Sequence, residues 1–209
     1  FEAQGSELFK EEFIKFSEQE PKDGSYYIAV DLAGFSEAGK TQTKNSRLDS
    51  TAISVVKAGE GFWWVADIIH GRWGVKETAR QIFNAQQKYQ PIALGIEKGA
   101  LKNAVAPYLA DLMKQYQKFF RIEDLTHGNK RKIDRIVWAL QGRFEHGTIT
   151  LNTGDWNMEF LDELYQFPNK LVHDDLIDSL SYIDQLANIA YTLDYEEDEY
   201  EPLDDYTGY

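Results

Sequence analysis

The sequence predicts an α/β protein in which a mixed sheet, built from three antiparallel strands followed by parallel βα units, carries helices on both faces. Two observations lead to this prediction. Three apolar, extended runs follow one another within residues 26–70, and helical and strand patterns then alternate up to residue 191. Strands joined by short turns pair antiparallel, whereas strands separated by a helix favour parallel pairing with helices over both faces.

The three opening strands are predicted at residues 26–33, 50–57 and 62–70. Each run is rich in β-branched, aliphatic or aromatic residues. Gly59 and Gly61 lie between the second and third runs, and glycines at this spacing favour a tight turn. We therefore expect the second and third strands to form a hairpin.

The spacing of apolar residues predicts the remaining elements. Residues 74–89, for example, place Val75, Ala79, Ile82 and Phe83 on one helical face. In chain order, we expect a helix at 74–89, a strand at 91–97, a helix at 101–116, a strand at 120–125, a helix at 130–146, a strand at 148–151 and a helix from about 174 to 191.

The two ends of the chain differ from residues 24–191, which we expect to form the domain. Residues 1–23 are predicted to be a linker that contains a short amphipathic helix, because apolar residues recur there at helical spacing among acids. Residues 192–209 form an acidic tail that we expect to be disordered. The apolar positions of the predicted N-terminal helix are Leu8, Phe9, Phe13 and Phe16.

Composition limits the possible functions. The chain has no cysteine and four histidines, which excludes disulfide and thiolate chemistry and disfavours a structural zinc site. No apolar run approaches the roughly 20 residues that a transmembrane helix needs. The net charge of −13 argues against a nucleic-acid partner. Residues 194–209 carry −8 and residues 1–23 carry −4, however, so only −1 remains for residues 24–193, which could still present a basic surface.

Two acidic residues lie in or at the end of apolar strands. Asp31 is flanked by Val30 and Leu32, and a carboxylate in such a strand is costly unless it is paired or binds a metal. Glu97 ends the fourth strand, directly after Ile96. In a sheet of this order the first and fourth strands are neighbours, so we expect Asp31 and Glu97 to meet near the centre of the sheet.

A third acidic group, His173-Asp174-Asp175 with Asp178, opens the last predicted helix. At about 100° per residue, Asp175 lies at the edge of the apolar stripe and can reach the sheet, with Asp178 beside it at i+3. Asp174 is placed as the helix N-cap.

Each acid also has an ordinary structural explanation. Acids in a first helical turn complement the helix dipole, and Glu97 could be a solvated acid at a strand end. The combination nevertheless favours a metal site, because clustered carboxylates need a cation. Hard oxygen ligands select Mg²⁺ or Mn²⁺, and two such ions can support phosphodiester hydrolysis.

The acids described above, with the segments around them, resemble the nuclease domain of tailed-bacteriophage large terminase subunits, which has the RNase H-like fold. The resemblance covers about residues 24–190, and the HDDLxD pattern at 173–178 is its most specific part. The segments that carry it are 30–34, 49–53, 96–97, 130–136, 147–149 and 173–180.

The resemblance implies an endonuclease that cuts concatemeric viral DNA during genome packaging, using a two-metal mechanism with Mg²⁺ or Mn²⁺. It assigns the catalytic, metal-binding acids to Asp31, Glu97 and Asp175, with Asp178 as a fourth. The implied partners are double-stranded DNA and, in the full-length protein, an N-terminal ATPase domain, the small terminase subunit and the portal of the procapsid. The resemblance also implies that the protein acts in the host cytoplasm and does not bind a membrane.

Basic residues near these acids are candidates for contacts with DNA phosphates, although solvated surfaces would look the same. Phosphate contacts supply affinity without reading the base sequence. The candidates are Lys130, Arg131, Lys132 and Arg135 at the start of one predicted helix, and Lys40, Lys44 and Arg47 in the loop that follows Asp31.

Alternative functions remain open. The segment from Gly34 to Thr41 matches the phosphate-binding pattern G-x-x-x-x-G-K-[ST], but residues 42–47 show no apolar stripe for the helix that such a loop must open. A P-loop nucleotide-binding module is therefore a minor alternative. The others are an RNase H-like nuclease of the junction resolvase or transposase type, and a non-catalytic packaging scaffold that docks a partner through its acidic tail.

Overall fold

A computed structural model of the chain describes residues 8–34, 50–126, 131–169 and 171–188. The described residues form a six-stranded sheet in the order β5-β4-β1-β2-β3-β6. Strands β1, β2 and β3 pair antiparallel, whereas β4 on β1, β5 on β4 and β6 on β3 are parallel. The strands are β1 Ser25–Asp31, β2 Thr51–Gly59, β3 Phe62–Gly71, β4 Ala93–Glu97, β5 Glu123–Leu125 and β6 Ile149–Leu151.

Helices cover both faces of this sheet, so the predicted fold class is confirmed. One face packs against α1 and α2, and the other against the helices that follow β5. A π-helical segment, Val137–Gln141, connects α3 to α4. The α-helices are α1 Val75–Tyr89, α2 Ala100–Tyr116, α3 Lys132–Ile136, α4 Gly142–Glu145, α5 Asn157–Gln166 and α6 Asp175–Ser181. No helix in the described part of the chain is long and apolar enough to span a membrane.

Strand β1 shows how the sheet sorts its side chains between the two faces. Because successive residues of a strand point to opposite faces, Ile28 and Val30 pack toward α1 and α2, while Tyr27 and Ala29 pack toward α6. Asp31 continues the second set. Its carboxylate therefore points to the α6 face, where the acidic group of residues 174–178 lies.

Gly95 in β4 allows a close approach between the sheet and its covering elements. A Cβ atom at this position would lie 2.7 Å from Leu125 side-chain atoms and 2.9 Å from Leu186 Cδ2. Leu125 and Leu186 are both fully buried. The absence of a side chain at Gly95 thus lets the helix at 183–188 settle over the end of the sheet that carries the acids.

The N-terminal segment differs from its prediction. Where residues 8–20 were expected to be helical, the structure has only a 3₁₀ turn, Glu11–Phe13, and an extended stretch in which Phe16 bridges Leu151 in parallel. Phe9 is 2% exposed and meets Phe144 edge-on at 5.8 Å. The aromatic residues anchor the segment on the core, while its backbone covers the edge of β6, which would otherwise present unpaired polar groups.

Two further differences concern helices. The sequence analysis missed α5, although Trp156, Phe160 and Leu164 recur at i, i+4 and i+8 and are all buried. The last helix, expected to be continuous, is interrupted by a turn at Tyr182 and resumes at 183–188. The expected acidic tail at 192–209 lies outside the described residues.

Candidate metal centre

The sheet brings the first two predicted acids side by side. Strands β1 and β4 are parallel neighbours, with Val30 opposite Ile96, so Asp31 and Glu97 follow at adjacent positions where both strands end. Val30 and Ile96, the residues just before these acids, both pack on the face that α1 and α2 cover. Because side chains alternate along a strand, Asp31 and Glu97 both point to the other face.

The first turn of helix α6 contributes the other two acids, Asp175 and Asp178. Asp175 is 7% exposed and Asp178 is 2% exposed. The backbone amide of Ser50, just before β2, donates a 2.7 Å hydrogen bond to Asp175 Oδ2. A cavity of about 310 Å³ is lined by these acids together with Asp31, Glu97 and Lys132. Four carboxylates from three distant stretches of the chain therefore share one cavity.

Burial and neighbouring charge make this cavity unfavourable for free carboxylates. Burial raises the pKa of Asp31 well above its usual value, and the charges of Asp178, Glu97 and Asp175 raise it further. The ammonium of Lys132 acts on this pKa in the opposite direction. A bound cation would lower the same pKa, since it favours the charged form of the carboxyl group.

Asp178 is the centre of an ion-pair network. Its Oδ2 lies 2.9 Å from Lys132 Nζ, and its Oδ1 accepts a short hydrogen bond from the Arg135 guanidinium. Lys132 Nζ also donates a 2.7 Å hydrogen bond to Asp174 Oδ1. Burial disfavours the ammonium of Lys132, but Asp178 and Asp174 outweigh this effect and raise its pKa.

The predicted DNA-contacting basic residues have different positions. Arg131 has a side chain that is 86% exposed and pairs with Asp134, as expected of a surface residue. Lys132 lines the acidic cavity, and Arg135, only 7% exposed, is paired with Asp178 inside the protein. We therefore reassign Arg135 from surface phosphate contact to partner of Asp178. Lys130, Lys40, Lys44 and Arg47 lie outside the described residues, as does most of the segment from Gly34 to Thr41.

Asp174 occupies the N-cap position of α6 as expected, but its side chain makes no capping hydrogen bond. It is turned toward Lys132 instead. The amides of Leu176 and Ile177 are capped from another helix, because Glu163 Oε2 of α5 accepts hydrogen bonds from them at 2.9 and 3.2 Å. The cap therefore comes from a residue 13 positions before Leu176 in sequence, not from the adjacent aspartate.

Glu163 is a buried acid at the start of α6 that the sequence analysis missed. It is 3% exposed, and its second oxygen, Oε1, is buried without a hydrogen-bond partner among the described residues. Burial raises the pKa of Glu163 to about 8, and the two amide hydrogen bonds only partly offset that rise. The helical spacing of Trp156, Phe160 and Leu164 could have revealed α5, but nothing in the sequence distinguishes Glu163 from an exposed acid.

Divalent cations fit this cavity by donor chemistry. Carboxylate oxygens are the ligands that Mg²⁺ and Mn²⁺ prefer, and Asp31, Glu97 and Asp175 of β1, β4 and α6 would supply them. Among the described residues, no group of three or more His, Asp or Glu side chains is already arranged to hold an ion. Of the four acids, Asp178 is already engaged by Lys132 and Arg135.

A second cavity, larger than the acidic one, lies elsewhere in the described part of the chain. It measures about 450 Å³ and is lined by residues including Trp63, Trp138, Arg143 and His146. Tyr27 and Gly59 also line it, which places it at the opposite end of β1 and β2 from Asp31. Its acidic lining residue, Asp184, already pairs with Arg143 at 2.8 Å, so the smaller acidic cavity is the better candidate for chemistry.

The sequence of the chain matches the model of a known protein family. A family model described as the terminase RNaseH-like domain matches residues 28–184. The matched segment begins in β1 and ends beyond α6, so it includes all four acids that line the cavity. No curated protein matches the chain in sequence.

Solved structures of terminases have a similar fold. The human cytomegalovirus terminase nuclease domain, manganese-soaked with an inhibitor bound, gives a TM-score of 0.59 at 14% identity over 89% of this chain and 97% of that one. The large terminase nuclease of thermophilic phage G20c with bound magnesium gives 0.58 at 14% identity over 86% and 97%. The large terminase of a second thermophilic bacteriophage gives 0.56 at 13% identity over 84% of this chain and 43% of that chain, so this chain spans less than half of its length.

Proposed function

The chain belongs to the terminase RNaseH-like domain family, and we propose that it is a metal-dependent endonuclease that hydrolyses phosphodiester bonds of DNA. The observation that carries this proposal is the convergence of Asp31, Glu97 and Asp175, from β1, β4 and α6, on one cavity. The magnesium and manganese in the names of similar terminase nuclease structures support a divalent ion in that place.

When bound, two divalent ions would activate the attacking water and stabilise the leaving oxygen of the phosphodiester. The chain's own contribution is to position the ligands. Asp31 and Glu97 are placed by the pairing of β1 with β4, and Asp175 is oriented by the Ser50 amide. Burial of Asp31 strengthens the attraction of the cavity for a cation, because the carboxylate has little water to stabilise it.

The substrate that we propose is double-stranded DNA, in the form of concatemeric viral genomes cut during packaging. The same proposal includes an N-terminal ATPase domain, a small terminase subunit and a portal as partners, acting in the host cytoplasm. Its support is the likeness to terminases, one of which is a phage large terminase more than twice as long as the part that this chain covers. Among the described candidates, Arg131 has the exposed side chain that a phosphate contact requires.

A plasmid-nicking assay tests the proposal. We expect the chain to relax supercoiled plasmid in Mn²⁺ or Mg²⁺ and to lose this activity in EDTA. Asp31→Asn should reduce nicking by about 100-fold or more, since several kcal/mol of charge stabilisation would be lost at tenfold per about 1.4 kcal/mol. The melting temperature of the variant shows whether the fold survives.

The matched control is Asp124→Asn, which removes one carboxylate from β5, where Asp124 pairs with Lys102 on the surface. We expect this control to nick at the wild-type rate. Cleavage by Asp31→Asn at the wild-type rate would contradict the proposed site. A strong preference for branched over linear duplex DNA would instead favour a nuclease of the junction resolvase type.

A further inference from the structure

The side chain of Lys132 lines the acidic cavity. Its Nζ is 2.9 Å from Asp178 Oδ2 and 2.7 Å from Asp174 Oδ1. Of these two acids, Asp178 lines the cavity and Asp174 does not. Lys132 thus spans the boundary of the cavity, with one carboxylate partner inside it and one outside.

Both oxygens of Asp178 are engaged. Arg135 forms an ion pair with Oδ1, and Lys132 forms one with Oδ2. A divalent ion that uses Asp178 as a ligand would therefore compete with these two bases for the negative charge of the carboxylate.

The two bases differ in how readily they could leave. Arg135 is 7% exposed, lies 3.4 Å from Ser181 Oγ, and stacks on the Tyr182 ring at 4.3 Å. The side chain of Lys132 is 39% exposed, and it already contacts Asp174, whose side chain is 35% exposed. Moving Arg135 would leave its charge buried, whereas Lys132 can turn toward solvent and keep an acidic partner. Lys132 is the exchangeable partner of Asp178.

We propose that Lys132 is a built-in counter-cation on the Asp178 side of the metal centre, and that it gives up Asp178 and keeps Asp174 when a second divalent ion binds there. The inference rests on the proposed function and deepens it, because it sets an order of loading. The first ion would be held by Asp31, Glu97 and Asp175, and the second would compete with the ammonium of Lys132. Wild-type protein should therefore bind its second ion much more weakly than its first.

Calorimetric titration of the chain with MnCl₂ tests this order without measuring cleavage. We expect wild type to show one tighter and one weaker binding event. Lys132→Gln should tighten the weaker event by about tenfold or more, which is the scale on which outer partners alter metal affinity. Arg80→Gln is the matched control, since it removes one positive charge from α1, where the side chain is 63% exposed and pairs with Glu77. The control should leave both binding constants within about twofold of wild type.

A second variant acts in the opposite direction. Asp174→Asn removes the outer anchor, so Lys132 should compete more strongly for Asp178, and the weaker event should weaken further. If Lys132→Gln leaves the weaker event unchanged or weakens it, or if Asp174→Asn tightens it, the counter-cation role is overturned. Mn²⁺ binding that is abolished by Asp31→Asn but insensitive to Lys132→Gln would overturn this role alone. Absence of Mn²⁺ binding in wild type would overturn the proposed metal centre as well.

Discussion

The backbone amide of Ser50 donates a 2.7 Å hydrogen bond to the carboxylate of Asp175, joining the approach to β2 with the first turn of α6 across 125 positions of sequence. This bond sets one oxygen of Asp175 against the sheet. Asp175 therefore depends on a main-chain group that any residue except proline supplies.

The bond between Ser50 and Asp175 can be tested by a pair of substitutions. Ser50→Pro removes the amide hydrogen and should lower Mn²⁺ affinity and plasmid nicking by about 10- to 100-fold, the usual effect of losing a partner of a metal ligand. Ser50→Ala keeps the amide and should stay close to wild type. Equal activity of the two variants, measured at equal melting temperature, would show that the bond itself is irrelevant to metal binding.

Arg135 and Asp178 form a buried ion pair, and we expect the effect of replacing one partner on stability to depend on whether the other is present. Arg135→Met removes the buried cationic partner of Asp178 and leaves only the half-exposed Lys132 to balance its charge, and we expect it to lower the free energy of unfolding by about 3–5 kcal/mol. Adding Asp178→Asn should recover part of that loss, because no buried charge then remains unpaired. Urea unfolding of the two single variants and the double variant measures this coupling. Additive losses would contradict it.

The raised pKa of Glu163 predicts that the stability of the protein depends on pH. Its pKa rises from 4.5 to about 8 on folding, so between these values the folded protein keeps a proton that the unfolded chain releases. Stability should therefore fall as pH rises from about 4.5 to about 8, by up to about 1.4 kcal/mol per pH unit from this group. Glu163→Gln keeps an oxygen for the amides of Leu176 and Ile177 but cannot ionise, so its unfolding free energy should vary less with pH.

The control for Glu163 is its neighbour Asp162, whose side chain lies at the surface and accepts a hydrogen bond from Gln166. Asp162→Asn should keep the wild-type pH profile of unfolding. Melting curves recorded from about pH 5 to about pH 8, the window between the two pKa values of Glu163, compare the three proteins. A Glu163→Gln profile as steep as that of wild type would mean that Glu163 does not take up the proton.

The close packing at Gly95 can be tested by adding a single methyl group. Gly95→Ala would place a Cβ atom 2.7 Å from Leu125 and 2.9 Å from Leu186, and we expect a loss of about 1–3 kcal/mol in the free energy of unfolding. Gly142→Ala is the matched control, since nothing lies within 4 Å of a Cβ there and the residue is helical. It should leave stability unchanged or raise it by up to about 1 kcal/mol. Similar melting temperatures for both variants would show that β4 and its cover can separate at little cost.

Elements with a local signal could be predicted from the amino-acid sequence alone. Runs of apolar residues predicted β1 to β4, and helical spacing predicted α1 and α2 closely. The acids Asp31, Glu97 and Asp175 stood out because each is adjacent to an apolar element. The same local signal was misleading at residues 8–20, where aromatic spacing that suits a helix instead anchors an extended segment on the core.

The pairing of the charged side chains emerged from the three-dimensional arrangement and not from any local pattern. Asp178, a metal ligand in the sequence analysis, is held by Lys132 and Arg135, and Asp174 contacts Lys132 instead of capping its helix. Glu163 provides the cap from a helix that the sequence analysis missed. Periodicity reports which face of an element is buried, whereas the partner of a buried charge depends on the distance between atoms far apart in sequence.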